Sequence, residues 1–552
     1  MSRNRSFNPV KQLLALAALS GILVSFAACN GSEAGAINEI DKDNSLSLDV
    51  ETFKDLPNCT SVREGMEAYV SEDATTYVCM DAKWIKLSKD SKKENEVESS
   101  SSDGFDGDDL GYEDEDKDEG KCSSSRGKVK QSSSSSEEAS SSSEKNSGGT
   151  VSKVPLAASA NVSYASAMYS SWQAYHFTTM EDESVYYPTI ASDYGVVFTD
   201  AYRPAGRVIW SAATGSLKND CSVEETDRTA MKYRACTVSE GIGYGMLLAY
   251  FEGDASTFDA LWNYTRGMKA YYNTKLMPWL TRSFHYKRID VSSATDADID
   301  IATALILMYH KTKKADYLAD ALTIVNAIWD QEIQQSDLMI YPGNTSMWKE
   351  DPIYNLSYFS PVAIRLFAGV DVSHNWNGVL DAMYTYMARV QSAGTGVFPD
   401  WSDASGAAKK PSNGAAEKTY WLFDKESVRI PWRIAWDYYW YQDARAKTIL
   451  DKLNMFITDP SRSGGDPSSA ALATSYSWNL SVGADKNGSL VVPSHWLAAW
   501  CLTGISGNAS WLNSCTTAVN AKMLTNGTSS YYIDILLVTF SQLLNGLYVR
   551  PY

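Results

Sequence analysis

The feature that most constrains the fold is a long succession of helical patterns in the C-terminal part of the chain. From residue 154 onward, apolar residues recur at positions i, i+3, i+4 and i+7 in one segment after another, a spacing typical of amphipathic helices. Strand-like runs such as 195–198 are few. The pattern predicts an all-α domain over residues 154–552, but helical periodicity alone does not define how the helices are arranged. The predicted helices span residues 240–251, 257–272, 299–311, 317–330, 361–368, 376–391, 430–442, 446–456, 491–503 and 529–547.

The start of the chain has the composition of an export signal. Residues 1–28 combine basic residues with an apolar run that is too short to anchor a protein in a bilayer. Cys29 follows small residues, as the lipidated cysteine of a bacterial lipoprotein does. We therefore expect an exported lipoprotein at an outer membrane or cell surface, followed by a polar tether over residues 29–55. The alternative is an ordinary signal peptide cut near Ala28 and a secreted protein.

Two further segments precede the helical domain. Residues 56–88 have strand-like composition and are expected to form a small unit closed by a disulfide, because so few residues bury little apolar core. Residues 89–153 are rich in Ser and acids and almost free of apolar residues, so they predict a disordered linker. Three local disulfide pairs are expected in an exported protein: Cys59–Cys79, Cys221–Cys236 and Cys501–Cys515.

Composition argues against two classes of function. The 552-residue chain has 49 Lys and Arg against 67 Asp and Glu, a net charge of −18, and no basic stripe, so nucleic acid is not an expected partner. Only five His occur, none of them spaced as His-x-x-x-His, so we expect no metal site and no cofactor. The 17 Trp and 33 Tyr suit the flat faces of sugars, although most of these rings must form core.

One carboxylate precedes an unusual run of glycines. The sequence VSEGIGYGM at 238–246 places Glu240 before three glycines at alternate positions, and each glycine weakens a helix by roughly 1 kcal/mol. Such a cost is expected where something approaches the backbone closely, so we interpret Glu240 as directed at a ligand. The alternative is a helix-capping glutamate beside a flexible turn.

Two further acidic clusters stand at predicted helix starts. ATDADIDIA at 294–302 sets Asp296, Asp298 and Asp300 at the head of an apolar helix. FDKESVRIPWR at 423–433 again sets acids before an apolar stretch. Helix capping explains one or two such acids, but not acids that alternate with Ala and Ile. Hydrolysis of a glycosidic bond requires groups of this kind: one carboxylic acid protonates the leaving oxygen, and one carboxylate activates water or attacks.

Together the three motifs closely resemble the signature regions of glycoside hydrolase family 8, and the resemblance covers roughly residues 159–552. That family contains inverting endoglucanases, xylanases, lichenases and chitosanases. The resemblance implies an (α/α)6 toroid with the substrate cleft at one end. Four shorter pieces agree in order: LMPW at 276–279, SYFSP at 357–361, FPDW at 398–401 and HW at 495–496.

The resemblance also implies roles for single residues. Glu240 matches the family's general acid, and its pKa must be raised if it is to keep a proton near working pH. Asp296 matches the aspartate that binds and distorts the sugar at the cleavage subsite. Tyr358 matches the tyrosine that helps to hold the attacking water, the alternative being a core ring. Asp298 is a candidate for substrate binding, for helix capping or for support of neighbouring groups.

The general base has two candidates. In the family's commonest pattern an Asp lies three residues before the motif's Arg. That Arg is Arg429 here, and the residue three before it is Glu426, while Asp424 lies two residues earlier. We favour Glu426 because its spacing to Arg429 keeps the register, although the extra methylene moves the carboxylate by about 1 Å. Asp424 is the alternative, after a local shift.

Aromatic and basic residues complete the predicted substrate site. Trp279, Trp401 and Trp432 are candidates to stack on sugars, with a place in the core as the alternative for the last two. Arg429 is expected to orient the carboxylates by charge-assisted hydrogen bonds. Its alternative is an ion pair within the helical shell.

The sequence thus predicts an exported, lipid-anchored, inverting endo-glycosidase that cuts β-1,4-linked polysaccharide such as cellulose, mixed-linkage glucan or xylan. Its expected partners are the polysaccharide and the membrane that holds the lipid, and it is expected to be a monomer. The alternative is a non-catalytic glycan-binding surface lipoprotein on the same toroid. Glu426, in place of the usual Asp, favours that alternative, and the intact Glu240 favours the enzyme.

Overall fold

The computed structural model divides the chain into two compact units, residues 1–97 and residues 98–552. The predicted signal peptide, Cys29 and nearly all of the predicted linker lie outside the described residues. The structure describes residues 48–50, 52–56, 67–72, 74–80, 83–86, 152–186, 197–210, 221, 236–284, 290, 292–411, 419–480, 486–487, 495–521, 523–524 and 531–552.

The first unit contains a small four-stranded sheet with the strand order β1-β2-β3-β4. β1 pairs with β2 in parallel, and the other neighbours are antiparallel. β1 belongs to the segment predicted as a tether, and β2 to β4 belong to the predicted 56–88 unit. Cys59 is outside the described residues, and so is its predicted disulfide. The strands are β1 (Leu48–Val50), β2 (Glu67–Val70), β3 (Thr75–Met80) and β4 (Lys83–Lys86).

The second unit is mainly helical, and all ten predicted helices are confirmed. The helix predicted to begin at residue 299 begins four residues earlier, at Thr295, because the acidic segment forms its first turn. The described residues of the second unit contain α1 (Val162–His176), α2 (Met180–Tyr186), α3 (Ser239–Glu252), α4 (Ala255–Tyr272), α5 (Thr295–Thr312), α6 (Ala315–Glu332), α7 (Ser346–Glu350), α8 (Pro361–Val370), α9 (Trp376–Ala393), α10 (Ile430–Tyr441), α11 (Ala444–Ile457), α12 (His495–Leu502), α13 (Ala509–Val519) and α14 (Tyr531–Leu544).

Six of these helices form a closed inner ring. α3, α5, α8, α10, α12 and α14 contact one another in that order, and α14 returns to α3. Each inner helix also packs against one outer helix; in the same order the outer helices are α4, α6, α9, α11, α13 and α1. Two concentric layers of six helices therefore build the unit, with the apolar core between them.

Four helices were not predicted, and α1 shows why. Serines interrupt its apolar spacing, and its start is defined by Asn161, whose side chain accepts a hydrogen bond from the Tyr164 amide. Such capping stabilises a helix by about 1 kcal/mol. α13 begins in the same way, at Asn508. The predicted disulfides Cys221–Cys236 and Cys501–Cys515 are confirmed, and the second ties α12 to α13.

Short strands brace the connections between the helices. The strand directly before α3, β7, pairs in antiparallel fashion with β8, which follows α4, and β11 and β12 join the segments before α8 and after α9. These strands are additions to the all-α prediction. They are β5 (Phe177–Thr179), β6 (Gly206–Val208), β7 (Cys236–Val238), β8 (Leu280–Arg282), β9 (Ile333–Gln334), β10 (Met339–Ile340), β11 (Ile353–Tyr354), β12 (Ser402–Asp403), β13 (Leu422–Phe423), β14 (Ser475–Ser477) and β15 (Lys486–Asn487).

Candidate active site

The three acidic motifs meet around one buried guanidinium. Arg429 ends a short 3-10 helix, Ser427–Arg429, that leads into α10, and only 2 % of the residue is exposed. Its Nη1 donates to Glu240 Oε2 at 2.7 Å and to Asp296 Oδ2 at 2.9 Å. Its Nη2 pairs with Glu426 Oε2. We call these four residues the Arg429 cluster.

The cluster lies where the helices of the inner ring begin. Glu240 and Asp296 occupy the first turns of α3 and α5, and Arg429 directly precedes α10. Tyr358 lies just before α8, and Tyr531 opens α14. Because these five helices start at one place, the partial positive charges of their N-termini converge there. An acidic cluster is therefore compatible with this end of the ring.

Main-chain and side-chain contacts both orient Glu240. The Ser239 amide, directly after β7, donates to the Trp279 carbonyl at 2.8 Å and so holds the start of α3. The Tyr531 hydroxyl donates to Glu240 Oε1 at 3.0 Å, while Arg429 binds Oε2. Each carboxyl oxygen thus has a protein donor. The side chain is nevertheless 20 % exposed, so it remains accessible from the ring's opening.

The glycines that follow Glu240 serve helix packing. A Cβ on Gly241 would lie 3.0 Å from the ring of Tyr531, and a Cβ on Gly243 would lie 2.9 Å from the Cβ of Asp300. Both distances are too short for a side chain in a packed interior. The groups that approach this backbone closely are the neighbouring helices α14 and α5, which also carry Tyr531 and Asp296. The interpretation of Glu240 as directed at a ligand stays a prediction.

Burial sets the protonation state of Glu240. It raises the pKa of Glu240 to about 8; the Arg429 guanidinium opposes this rise, and the charges of Asp296 and Glu426 add to it. The N-terminus of α3 also favours the anion. Because burial dominates, Glu240 holds its proton at neutral pH. A residue that must donate a proton requires this state.

Two acids of α5 repeat the same interaction one turn apart. Asp296 pairs with Arg429, and Asp300 forms a bidentate ion pair with Arg433. The i,i+4 spacing of the two acids on α5 thus matches the i,i+4 spacing of Arg429, just before α10, and Arg433 within it. The two pairs link helices that α8 separates in the ring. Burial raises the pKa of Asp296 to about 6 against the opposing effect of Arg429.

Asp298 lies outside the Arg429 cluster. Its Oδ1 accepts a hydrogen bond from the main-chain N–H of Met277 at 3.3 Å, in the segment that leads to Trp279. Burial raises its pKa well above the usual range, and the charge of Glu332 adds to the effect. These contacts favour the supporting role over direct substrate binding.

Glu426 and Asp424 occupy different places. Glu426 Oε2 accepts hydrogen bonds from Arg429 and, at 2.7 Å, from Asn355 Nδ2, and 19 % of its side chain is exposed. Among the described residues, no hydrogen bond joins Asp424 to Arg429. The Asp424 amide donates instead to Asp400 Oδ1 at 3.0 Å, and burial raises the pKa of its carboxyl to about 6. Of the two candidates, Glu426 joins the cluster.

Tyr358 lies over the guanidinium of Arg429. Its ring centroid is 5.4 Å from Arg429 Cζ, a cation–π contact. Burial, with the charges of Asp296 and Glu426, raises the pKa of its hydroxyl well above the usual range, so the hydroxyl stays a neutral donor. The same segment supplies Asn355, which sequence reasoning missed. Asn355 lies three residues before Tyr358, a predicted site residue, and this position could have identified it.

Two tyrosines of the site were also not predicted. The Tyr244 hydroxyl lies 3.4 Å from Arg429 Nη1, and it sits one turn after Glu240 on α3. The i,i+4 spacing was therefore a usable signal. Tyr531 lies 291 residues from Glu240 along the chain, and no local pattern connects the two.

The predicted tryptophans differ in their surroundings. Trp432 is fully buried, and its Nε1 donates to the Tyr548 hydroxyl at 3.0 Å. Trp401 is buried and stacks on Trp348 with ring centroids 5.9 Å apart. Both rings therefore belong to cores, which was the alternative for them. Trp279 is also buried, but it adjoins the start of α3 and remains the stacking candidate.

In the described part of the chain, no three His, Cys, Asp or Glu side chains come together as a metal site would require. None of the helices described is long and apolar enough to cross a bilayer.

Comparison with known proteins identifies the family. Residues 225–514, more than half of the chain, match the model of the family described as Glycosyl hydrolases family 8. The matched region contains all three acidic motifs and the whole Arg429 cluster. The chain therefore belongs to glycoside hydrolase family 8.

Two relatives illustrate the extent of the similarity. Endoglucanase 2 of Ruminiclostridium josui is 33 % identical over 235 residues, which cover 40 % of this chain and 47 % of the relative. Beta-glucanase of Niallia circulans is 31 % identical over 332 residues, which cover 56 % and 77 %. The chain thus spans about half the length of the first relative and most of the second.

A solved structure shares the fold of the helical unit. The apo beta-1,3-1,4-glucanase from Paenibacillus sp. X4 matches with a TM-score of 0.54 and 22 % identity, over 72 % of this chain and 97 % of that one. This likeness concerns the fold alone. Together with the six inner and six outer helices, it supports the (α/α)6 architecture that the sequence resemblance implied.

Proposed function

We propose that this protein is an inverting endo-β-1,4-glycanase that hydrolyses cellulose, mixed-linkage glucan or xylan. The observation that carries the proposal is the Arg429 cluster, in which three carboxyl groups surround one guanidinium and one of them keeps a proton at neutral pH. Membership of glycoside hydrolase family 8 and the names of the two relatives support the same chemistry.

In this proposal Glu240 is the general acid. Its carboxyl gives a proton to the glycosidic oxygen as the bond from that oxygen to the anomeric carbon breaks, and the leaving sugar departs with a hydroxyl group. The raised pKa of Glu240 supports this role. Arg429 and Tyr531, which bind its two oxygens, would stabilise the carboxylate that remains.

Glu426 is the proposed general base. It takes a proton from water while the water oxygen attacks the anomeric carbon from the opposite face, which inverts the configuration. Arg429 and Asn355 both bind Glu426 Oε2, which leaves Oε1 to accept from water. Tyr358 is proposed to help hold that water, and Asp296 to bind the sugar at the cleavage subsite.

The test uses the full-length protein and a panel of carboxymethylcellulose, mixed-linkage glucan, xylan and chitosan. Endo action predicts that viscosity falls much faster than reducing ends accumulate. NMR of the first-formed product should show the inverted anomer. Retention of configuration would require a covalent intermediate and would contradict the proposed roles.

The second candidate function is a non-catalytic glycan-binding lipoprotein. One observation favours it: Glu426 stands where the family's commonest pattern has Asp, so the proposed base is one methylene longer. Binding to insoluble glucan without release of reducing sugar from any substrate in the panel would support this candidate over the enzyme.

We also propose that the protein is exported and held at an outer membrane or cell surface by lipid on Cys29. The support is the short apolar run that ends in Ala27-Ala28-Cys29. Cys29→Ser should move the protein from the membrane fraction to the soluble fraction while its activity is kept. Unchanged membrane partitioning would contradict the lipid anchor.

A further inference from the structure

Asp400 is a buried acid that the proposed chemistry does not use. It is 1 % exposed and belongs to the FPDW segment between α9 and β12. Its Oδ1 accepts three hydrogen bonds: from the Asp424 amide at 3.0 Å, the Ser427 amide at 2.9 Å and the Ser427 hydroxyl at 2.7 Å. One carboxyl oxygen therefore accepts three hydrogen bonds from a single turn.

That turn carries Glu426. The two amides bound to Asp400 belong to the first and last residues of the turn, Asp424 and Ser427. Asp400 therefore binds the main chain on both sides of Glu426. The Ser427 hydroxyl also accepts from the Asp424 amide at 2.8 Å, which closes the turn on itself. Glu426 has helical backbone angles directly before the 3-10 helix, and its carbonyl accepts from the Arg429 amide at 3.3 Å. The bonds to Asp400 hold the residues on either side of it and so help to define where its side chain starts.

Asp400 is itself firmly anchored. Its amide donates to the Leu422 carbonyl at 2.8 Å. Two residues later β12 pairs with β11, the strand that directly precedes Asn355. The same segment thus connects the turn beneath Glu426 with the residue that binds the Glu426 carboxylate. A shift of this segment would move both supports together.

The second oxygen of Asp400 indicates a neutral group. Oδ2 is buried and has no hydrogen-bond partner among the described residues, and an unpaired buried charge is very costly. Burial raises the pKa of Asp400 well above the usual range, and the nearby charges of Asp424 and Glu426 add to the effect. In its protonated form Asp400 accepts the three hydrogen bonds without repelling the carboxylate that it supports.

From these contacts we propose that Asp400 is a positioning residue for the general base: it holds the 424–427 turn so that the Glu426 carboxylate meets the attacking water. The proposal rests on the proposed function, since it presumes that Glu426 is the base. In this proposal Asp400 contacts neither the substrate nor the attacking water and exchanges no proton, so it adds no chemical step of its own.

The main test compares Asp400→Ala with Asp400→Asn. Ala removes the acceptor, so the turn loosens and kcat should fall roughly 10- to 100-fold, as small misplacements of catalytic groups do. Asn keeps an acceptor oxygen in place, so Asp400→Asn should retain most of the activity. KM should change little in either variant, because the turn acts on the base. An unchanged kcat in Asp400→Ala would overturn the proposal.

Asp371 provides the matched control. It is a buried Asp that also accepts three hydrogen bonds, from the Ser373 amide, the His374 ring and the Trp376 indole. It lies beyond the C-terminus of α8, about 15 Å from the helix start near the cluster. Asp371→Ala should lower the melting temperature about as much as Asp400→Ala without lowering kcat. An equal loss of kcat in both variants would make the effect of Asp400 merely structural.

Ser427→Ala covers the case in which Asp400→Ala does not fold. It removes the hydroxyl that donates to Asp400 and accepts from Asp424, and it leaves both main-chain bonds in place. The variant should fold and lose a few-fold in kcat with little change in KM, a smaller misplacement of the same group. The proposal is contradicted if Ser427→Ala and Asp400→Ala both keep the wild-type kcat. If Asp400→Ala does not fold, a wild-type kcat in Ser427→Ala contradicts it alone.

A double-mutant cycle separates this proposal from the proposed function. If Asp400 acts through Glu426, then Asp400→Ala should cost almost nothing further in the Glu426→Ala background. Additive losses would overturn the positioning role while leaving Glu426 as base. Full activity of Glu426→Ala itself would instead refute the proposed function.

Discussion

The acid side and the base side of the Arg429 cluster are built in different ways. Glu240 stands in the first turn of an inner-ring helix, so its place follows from the main chain of α3 and from the packing of that helix. Glu426 stands in a turn before α10, and two side chains hold it: Arg429, three residues later, and Asn355, 71 residues earlier. The main chain of α3 therefore places the acid, which Arg429 and Tyr531 then orient, whereas polar contacts of side chains place the base.

The largest effect is expected from Glu240→Gln. The substitution removes the transferable proton and keeps the shape, so kcat on polysaccharide should fall about 10³-fold, within the range of general acid catalysis, while the fold is kept. Glu252→Gln is the matched control at the other end of the same helix and should leave kcat unchanged. Rates of reducing-sugar release with circular dichroism check both. Near-normal turnover of Glu240→Gln would remove Glu240 from the mechanism.

The second prediction addresses the base side. Glu426→Ala should lower kcat about 10²-fold, and azide should restore part of the activity because it is a small external nucleophile. Asp424→Ala should cost much less, since its carboxyl does not join the cluster. If the two variants exchange these behaviours, Asp424 is the base. If both keep wild-type activity, the third motif is structural.

The third prediction uses the pH dependence of the acid side. Because Glu240 must be protonated to act and burial raises its pKa to about 8, kcat should fall as the pH rises through about 8. In Asp296→Asn, which removes a negative neighbour that adds to the raised pKa, this alkaline limb should move to lower pH. Rates measured between pH 5 and 10 with substrate in excess give the limb directly. A limb that does not move in this variant would argue against Glu240 as its source.

The raised pKa of Glu240 also predicts how stability depends on pH. Its folded-state pKa lies above the ordinary value of 4.5, so its contribution to stability is complete below pH 4.5 and is lost as the pH rises through about 8. Glu240→Gln removes this loss. Relative to wild type it should therefore gain about 4 kcal/mol between pH 5 and pH 9, measured by urea unfolding. A constant difference across that range would mean that Glu240 ionises normally.

The same division explains what could be predicted from the sequence. The inner helices are long and periodic, so the ring's elements and the acid at the start of α3 follow from local patterns. For the base, the local spacing to Arg429 favours Glu426 and leaves Asp424 as the alternative. The further contacts that distinguish the two involve Asn355 and Asp400, which lie 71 residues from Glu426 and 24 residues from Asp424. Tyr531 was missed for the same reason. The tryptophans show a further limit: composition suggests sugar stacking, but only three-dimensional packing shows that Trp432 is core.

The smallest expected effect tests whether the packing of α3 positions the acid. In Gly243→Ala the new Cβ would lie 2.9 Å from the Asp300 Cβ and 3.2 Å from the Ala297 carbonyl oxygen, so α3 and α5 must move apart. Overpacking costs about 1–3 kcal/mol, and the better helix propensity of Ala returns up to about 1 kcal/mol. The free energy of unfolding should fall by about 1 kcal/mol in total. The kcat should fall a few-fold because Glu240 and Asp296 belong to the two helices that move.

Gly369 is the matched control for this substitution, because a Cβ there would meet no atom within 4 Å although the residue also lies in an inner helix, α8. Gly369→Ala should therefore stabilise the protein by up to about 1 kcal/mol and leave kcat unchanged. Urea unfolding and initial rates of the two variants give the comparison. If Gly243→Ala is as stable and as active as Gly369→Ala, the close approach of α3 and α5 does not position the acid, and the acid side depends on side-chain contacts as much as the base side does.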